Sequence, residues 1–211
     1  MNPEPVSTVN VLIMTAFDSL HGTVGAADPS EPASSRPLTD WVFGYGSLIW
    51  DPGFEFHEAG LAQVHGYHRT FCIRSTRYRG TPEQPGVVLG LDRGGSCIGM
   101  AFRLRPESRR AAVDALYERE MTGGVYVARQ LSAILVDGRR VHALAFVANR
   151  SSTSYERLND DEIVRRLSAC CGQRGRNREY AIRTWHSLAA HGVHCPHLGT
   201  VGRRLLETGC D

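Results

Sequence analysis

From Trp41 onward the chain is a succession of apolar runs, rich in β-branched and aromatic residues and cut by glycine and proline. This punctuation predicts strands over Trp41 to Phe43, Gly60 to Ile73, Gly86 to Leu91 and Cys97 to Leu104, with a turn in Gly80-Thr-Pro-Glu-Gln-Pro-Gly86. The pattern then changes period. Pro106 suits a first helical turn, and Ala111 to Met121 is a helix-forming stretch stopped by Gly123 and Gly124. Two further alternating runs, Val125 to Val136 and Val141 to Val147, predict a strand pair joined at Asp137-Gly138.

The remainder reads as helical. Asp160 or Asp161 is placed to cap a helix reaching Cys171, Asn177 to cap another through Ala190, and Val201 to Glu207 forms a last one. Strands first and helices later, without βαβ alternation, predict an α+β fold on a mainly antiparallel sheet that can close on itself. Residues 1–38 have a different texture, rich in proline, serine, alanine and glycine, and read as a flexible N-terminal leader before a folded domain over 39–211. Within the leader, Val11 to Leu20 forms a short docking helix or reflects a start assigned too far upstream.

Composition narrows the function more by exclusion than by indication. A length of 211 residues suits one domain, and a formal net charge of +2 points to neither a nucleic-acid nor a membrane partner. All 24 basic residues are arginine, which removes lysine Schiff-base chemistry and a P-loop lysine. The cysteines Cys72, Cys97, Cys170, Cys171, Cys195 and Cys210 lack CxxC spacing and read as reduced thiols of a cytoplasmic protein. The apolar stretch Val11 to Phe17 is too short to span a bilayer and has no basic residue before it.

Four segments are candidates for chemistry. In Val42-Phe-Gly-Tyr-Gly-Ser-Leu48 a strand runs into two glycines flanking a tyrosine, so the segment is either a tight turn or a loop whose amides and Ser47 hydroxyl grip an anion. Ile49 rules out a dinucleotide fingerprint, and Ser47 lacks the following glycine of a nucleophile elbow. In the predicted helix, Val113, Leu116, Tyr117 and Glu120 fall at i, i+3, i+4 and i+7, which puts a carboxylate where the apolar stripe calls for a core residue. Such a group is either paired or raised in pKa by desolvation, and the latter suits a general base near neutrality. Arg119 is adjacent but points elsewhere on an ideal helix, so it is not an automatic partner. Gln173-Arg-Gly-Arg-Asn-Arg-Glu-Tyr180 is either a solvated cap or an anion site at a helix start, and His191, His194, Cys195 and His197 lack the second half of a zinc site.

The ordered set Val42-Phe-Gly-Tyr-Gly-Ser-Leu-Ile-Trp50, Ser75-Thr-Arg-Tyr-Arg-Gly-Thr-Pro-Glu-Gln-Pro-Gly86, Arg119-Glu-Met-Thr-Gly-Gly124 and Gly175-Arg-Asn-Arg-Glu-Tyr180 resembles the ChaC-like, glutathione-specific γ-glutamylcyclotransferases from Trp41 to about Leu188. The resemblance implies a small β-barrel with flanking helices and a lyase that converts glutathione to 5-oxoproline and cysteinylglycine without metal or cofactor. It implies that Glu120 is the acid/base, that Val42, Phe43, Gly44, Tyr45, Gly46, Ser47 and Leu48 bind the γ-glutamyl group, and that Tyr180 lies near the pocket. The chain departs from the pattern at Arg77-Tyr78, where relatives usually carry an acidic residue and a histidine, and at Met121-Thr122. The first departure bears on the leaving group, leaving open another γ-glutamyl amine or peptide as substrate; a non-catalytic γ-glutamyl-binding module is the remaining alternative. The sequence sets no oligomeric state.

Overall fold

A computed structural model describes residues 36–208, so nearly all of the expected leader, including Val11 to Leu20, lies outside the described residues. Five strands form a closed barrel in the order β1-β3-β2-β4-β5. They are β1 (Trp41–Gly44), β2 (Phe56–Ser75), β3 (Gly86–Leu104), β4 (Tyr126–Leu135) and β5 (Arg140–Ala148). All pairings are antiparallel except the closing one, where β1 lies parallel to β5 with Trp41 opposite Ala143.

The two runs expected on either side of Gly94-Gly95 are one strand. Pairing with β2 jumps from Tyr67 opposite Arg93 to His65 opposite Ser96, and Gly66, Gly94 and Gly95 all have positive φ there. The glycines thus absorb a bulge that bends the β2–β3 ribbon without ending it.

Alternation along β1 decides what packs where. Trp41 and Phe43 join one apolar cluster, which also takes in Leu167, Tyr180, Leu188, Leu198 and Leu205 from the C-terminal helices. Val42, on the opposite face, joins Leu104, Leu144 and Phe146 beneath α1 (Arg109–Glu120), whose Val113, Leu116 and Tyr117 complete a second cluster.

The other helices are α2 (Asp160–Ala169), α3 (Asn177–Ala190) and α4 (Pro196–Glu207), with a small hairpin of β6 (Cys171–Gly172) and β7 (Gly175–Arg176) between the first two. Their starts correct the sequence reading. Asn159, not Asp160 or Asp161, caps α2 by accepting from the Glu162 N–H at 2.9 Å, while Asp160 and Asp161 pair with His197 and Arg204 on α4. The helix stops at Ala169 because the hairpin begins two residues later. Asn177 is not a cap either. Fully buried, it donates to the Val87 carbonyl and accepts from the Val87 N–H, both at 2.8 Å, and so continues the β3 ladder with a side chain. The last helix begins five residues earlier than expected, with Pro196 in its first turn.

Candidate active site

Beyond β1 the chain turns through Tyr45 and Gly46 into a short 3-10 turn, Ser47–Ile49. The glycines are required by crowding. A Cβ on Gly44 would stand 2.9 Å from Leu48 Cβ, and one on Gly46 would stand 3.2 Å from the Tyr180 hydroxyl. Gly46 therefore lets a tyrosine of α3 close over the loop. Ser47 and Leu48 open the 3-10 turn, so their amides have no carbonyl one turn back to bond. The loop is tied down elsewhere. The Tyr45 hydroxyl donates to the Phe146 carbonyl at 2.6 Å, and Trp50 Nε1 donates to Thr184 Oγ1 at 3.0 Å.

Beside this loop lies a cavity of about 300 Å³, near the lower end of the size usual for small-molecule sites. A notch of about 30 Å³ adjoins it and is lined by Phe43, Tyr45, Gly46, Ser47 and Leu48. Ser47, Glu120, Tyr126 and Tyr180 line both spaces and form their common boundary. Of the loop residues singled out from sequence, Val42 and Gly44 are outside both linings. Val42 is packed beneath α1, while Gly44 is needed for close approach to Leu48. Leu48 also belongs to the cluster beneath α1.

Glu120 is the last residue of α1, and its side chain is only 18% exposed. Burial raises its pKa above the ordinary carboxylate value, against the lowering influence of Arg119 and then Arg174. The expectation for Arg119 needs correction: its Nε lies 3.1 Å from Glu120 Oε1. Helical spacing separates neighbouring residues by angle, but the helix ends here, and the long Arg119 side chain folds back over its terminus. The same guanidinium donates to Ser47 Oγ at 2.9 Å and to the Asp51 carbonyl at 3.0 Å. Arg119 thus joins the end of α1 to the glycine loop.

Tyr180 and Tyr126 converge on one residue of β3. The Tyr180 hydroxyl accepts from the Leu89 N–H at 3.1 Å, and the Tyr126 hydroxyl donates to the Leu89 carbonyl at 3.0 Å. Tyr180 therefore keeps its own O–H for a ligand. Burial pushes the pKa of Tyr45, Tyr126 and Tyr180 upward, and the negative charge of Glu120 pushes the same way. All three remain phenols at neutral pH.

Sequence reasoning missed Tyr126, which carries no signal beyond opening a strand, and much of the arginine wall. Arg79 is buried, donates to the Arg176 carbonyl at 3.2 Å and lies over the Tyr180 ring. From the arginine-rich turn, Arg174 lines the cavity whereas Arg176 and Arg178 do not. Among the described residues, the histidine and cysteine cluster near α4 forms no group able to hold a metal ion.

A site with these parts can hold an anionic head against loop amides, supply a phenolic donor from Tyr180, and present a carboxylate poised to exchange a proton. A family model described as ChaC-like protein matches residues 40–200. Over 154 residues the chain is 39% identical to the glutathione-specific γ-glutamylcyclotransferase of Escherichia coli strain K12, covering 72% of this chain and 67% of that protein. Over 170 residues it is 34% identical to glutathione-specific γ-glutamylcyclotransferase 1 of Mus musculus, covering 78% and 76%. A solved γ-glutamyl cyclotransferase specific to glutathione from yeast superimposes with a TM-score of 0.73 over 81% of this chain and 97% of that one. At 21% identity that match speaks for the fold.

Proposed function

The chain belongs to the ChaC-like family, and from that premise we propose that it is a glutathione-specific γ-glutamylcyclotransferase, with Glu120 as the acid/base. The observation that carries the site assignment is a carboxylate of raised pKa on the boundary between the glycine loop and the larger cavity. The γ-glutamyl head enters the loop side, with its α-carboxylate on the amides near Ser47, and the rest of the peptide occupies the larger space.

The reaction is internal to the substrate. Its α-amine attacks its own γ-carbonyl carbon, a five-membered lactam closes, and the amine of cysteinylglycine departs; formally this is a lyase reaction. Holding the glutamyl group folded supplies much of the acceleration, since well-oriented internal reactions reach effective molarities of roughly 10⁵ M or more. The α-amine is protonated at neutral pH and must lose a proton before it attacks. Glu120 takes that proton and returns one to the departing nitrogen, a contribution of about 10² to 10⁴ in rate. Loop amides and the Tyr180 hydroxyl, fixed before substrate arrives, oppose the charge that grows on the carbonyl oxygen.

Residues 39–211 form the catalytic unit in this proposal, and residues 1–38 are a leader outside it. No helix among the described residues is long and apolar enough to cross a membrane. A cytoplasmic location, where glutathione is plentiful and thiols stay reduced, suits the activity.

The test is incubation of the purified protein with reduced glutathione, following 5-oxoproline and cysteinylglycine by mass spectrometry beside a Glu120→Gln control. Both products in equal amounts from the wild type alone support the assignment. A folded Gln variant with full activity removes Glu120 from the mechanism, and no product at all from glutathione removes the substrate.

A further inference from the structure

The cavity wall farther along the chain from the loop is unusually cationic. Five arginines line the cavity (Arg74, Arg77, Arg79, Arg119 and Arg174) against two carboxylates, those of Asp51 and Glu120. Two of the arginines are already employed, Arg119 by Glu120 and Ser47, and Arg79 by the Arg176 carbonyl.

The other three lack an acidic partner among the described residues. The Gln173 and Arg174 N–H groups donate to the Arg77 and Tyr78 carbonyls, both at 2.9 Å, and so fasten the Arg77-Tyr78 segment to the turn of the β6–β7 hairpin like a short zipper. That zipper brings two like charges onto one ring. The Arg77 and Arg174 guanidiniums lie 5.3 Å and 4.5 Å from the centre of Tyr78. Among the described residues, the only side-chain hydrogen bond between either guanidinium and the protein is from Arg77 Nε to Gln173 Oε1 at 3.1 Å. Nearby on β2, the Nε of Arg74 is buried with no acceptor. Clustered cations with unused donors at a cavity wall are a receptor for a carboxylate, which a guanidinium matches with two parallel hydrogen bonds.

The dipeptide that leaves in the proposed reaction ends in a carboxylate. It spans two residues, so that group lies at most roughly 7 Å from the scissile nitrogen and must be met inside the same cavity as Glu120. Arg174 is close enough to act on Glu120 electrostatically. We propose that Arg77 and Arg174, with Arg74 lining the same cavity, form the subsite for the C-terminal carboxylate of the leaving peptide and so select γ-glutamyl peptides over γ-glutamyl amines. The inference rests on the cyclotransferase reading above.

The test compares kcat/KM for glutathione and for its C-terminal glycinamide analogue, in which only the carboxylate is neutralised. The wild type prefers glutathione by about ten- to a hundredfold, expressed mainly in KM, as expected for charge-assisted hydrogen bonds. In the Arg77→Gln, Arg174→Gln double variant the two substrates become nearly equivalent. Should that variant fail to fold, Arg174→Gln alone leaves the backbone zipper intact and lowers the preference in the same direction. Equal use of both substrates by the wild type, or an undiminished preference in the variants, overturns the subsite. Calorimetry with cysteinylglycine and its amide reads the same discrimination without turnover. An inactive wild type that still discriminates these two therefore overturns the reaction and keeps the subsite.

Discussion

Arg69 holds the carbonyl of Tyr45. Its Nε donates to that oxygen and its Nη2 donates to the Ile98 carbonyl at 2.7 Å, from a buried position with no carboxylate in reach among the described residues. A trans peptide is planar, so the Tyr45 carbonyl and the Gly46 N–H point in opposite directions from one rigid unit. By fixing the first, Arg69 aims the second. A charged side chain on β2 thus sets the orientation of an amide in the loop assigned to the γ-glutamyl group.

Arg69→Lys keeps the charge but cannot reproduce a fork that serves two carbonyls. We expect kcat to fall about tenfold or more, the loss following from misdirected loop amides. Arg69→Met leaves both carbonyls without their donor and lowers stability by about 2 kcal/mol as well. Steady-state kinetics beside urea melts separate the two effects; a Lys variant as active as the wild type contradicts the positioning role.

In the proposed mechanism Glu120 works as a base, so kcat/KM is expected to decline on the acid side through a pKa that burial has raised. Arg119 is the larger of the two influences pulling it back down. Arg119→Met therefore moves the acid limb of the pH–rate profile to higher pH, and Arg174→Gln moves it less far in the same direction. A limb that stays put or moves to lower pH contradicts the electrostatic account.

The same pKa has a consequence for stability. Between the ordinary value of 4.5 and the raised one, the folded state holds a proton that the unfolded state has lost. Stability contributed by this group therefore falls as pH rises through that window and stays lower above it. Glu120→Gln removes the penalty, so the variant melts above the wild type at pH 7.5, and the gap closes below the ordinary carboxylate value. Calorimetric melts at the two pH values check this, and a variant less stable at pH 7.5 counts against it.

Gly172 is where the hairpin meets the Tyr78 segment. A Cβ there would stand 2.5 to 2.6 Å from backbone atoms of Tyr78, Arg79 and Gly80, none of which is a flexible side-chain end. Gly172→Ala is expected to cost about 1 to 3 kcal/mol, as overpacking does, and to raise KM for glutathione by displacing the cationic wall. Thermal melts and initial rates measure both.

Thiol reactivity should follow burial. Cys72 is enclosed and its thiol is pushed up to about 12, chiefly by desolvation, while Cys171 is exposed. Iodoacetamide at pH 8 alkylates Cys171 well before Cys72 in the native protein, a sequence that peptide mapping reads directly.

The strands and α1 were legible because each has one buried face and its period shows in the chain. Glu120 was legible for the same reason, as a charge in an apolar stripe. What escaped were relationships that run across the fold. The Gly94-Gly95 pair looks like a strand break, and only the opposing Gly66 makes it a bulge. Asn177 has the chemistry of a cap, and only the proximity of Val87 gives it a different task. Arg69 shares the Phe71 face of β2 by alternation, but its charge within the polar run His68-Arg69-Thr70 reads as solvent-facing, and only the end of β1 and the β3 backbone account for its burial. Periodicity reports that a position is covered. It does not report by what, and an arginine turned inward to serve carbonyls looks the same in sequence as one turned out to water.

The parallel seam between β1 and β5 also sets when the protein can begin to work. The glycine loop leaves β1 directly, and its Tyr45 is bonded to Phe146, 101 residues along the chain. During synthesis the loop emerges early and then waits for a strand that follows the long β2–β3 ribbon and α1. Closure of so distant a contact is slow relative to local hairpins. Catalytic competence therefore arrives late, after the barrel seam has formed, and a nascent chain halted before β5 carries the recognition motif without an enzyme.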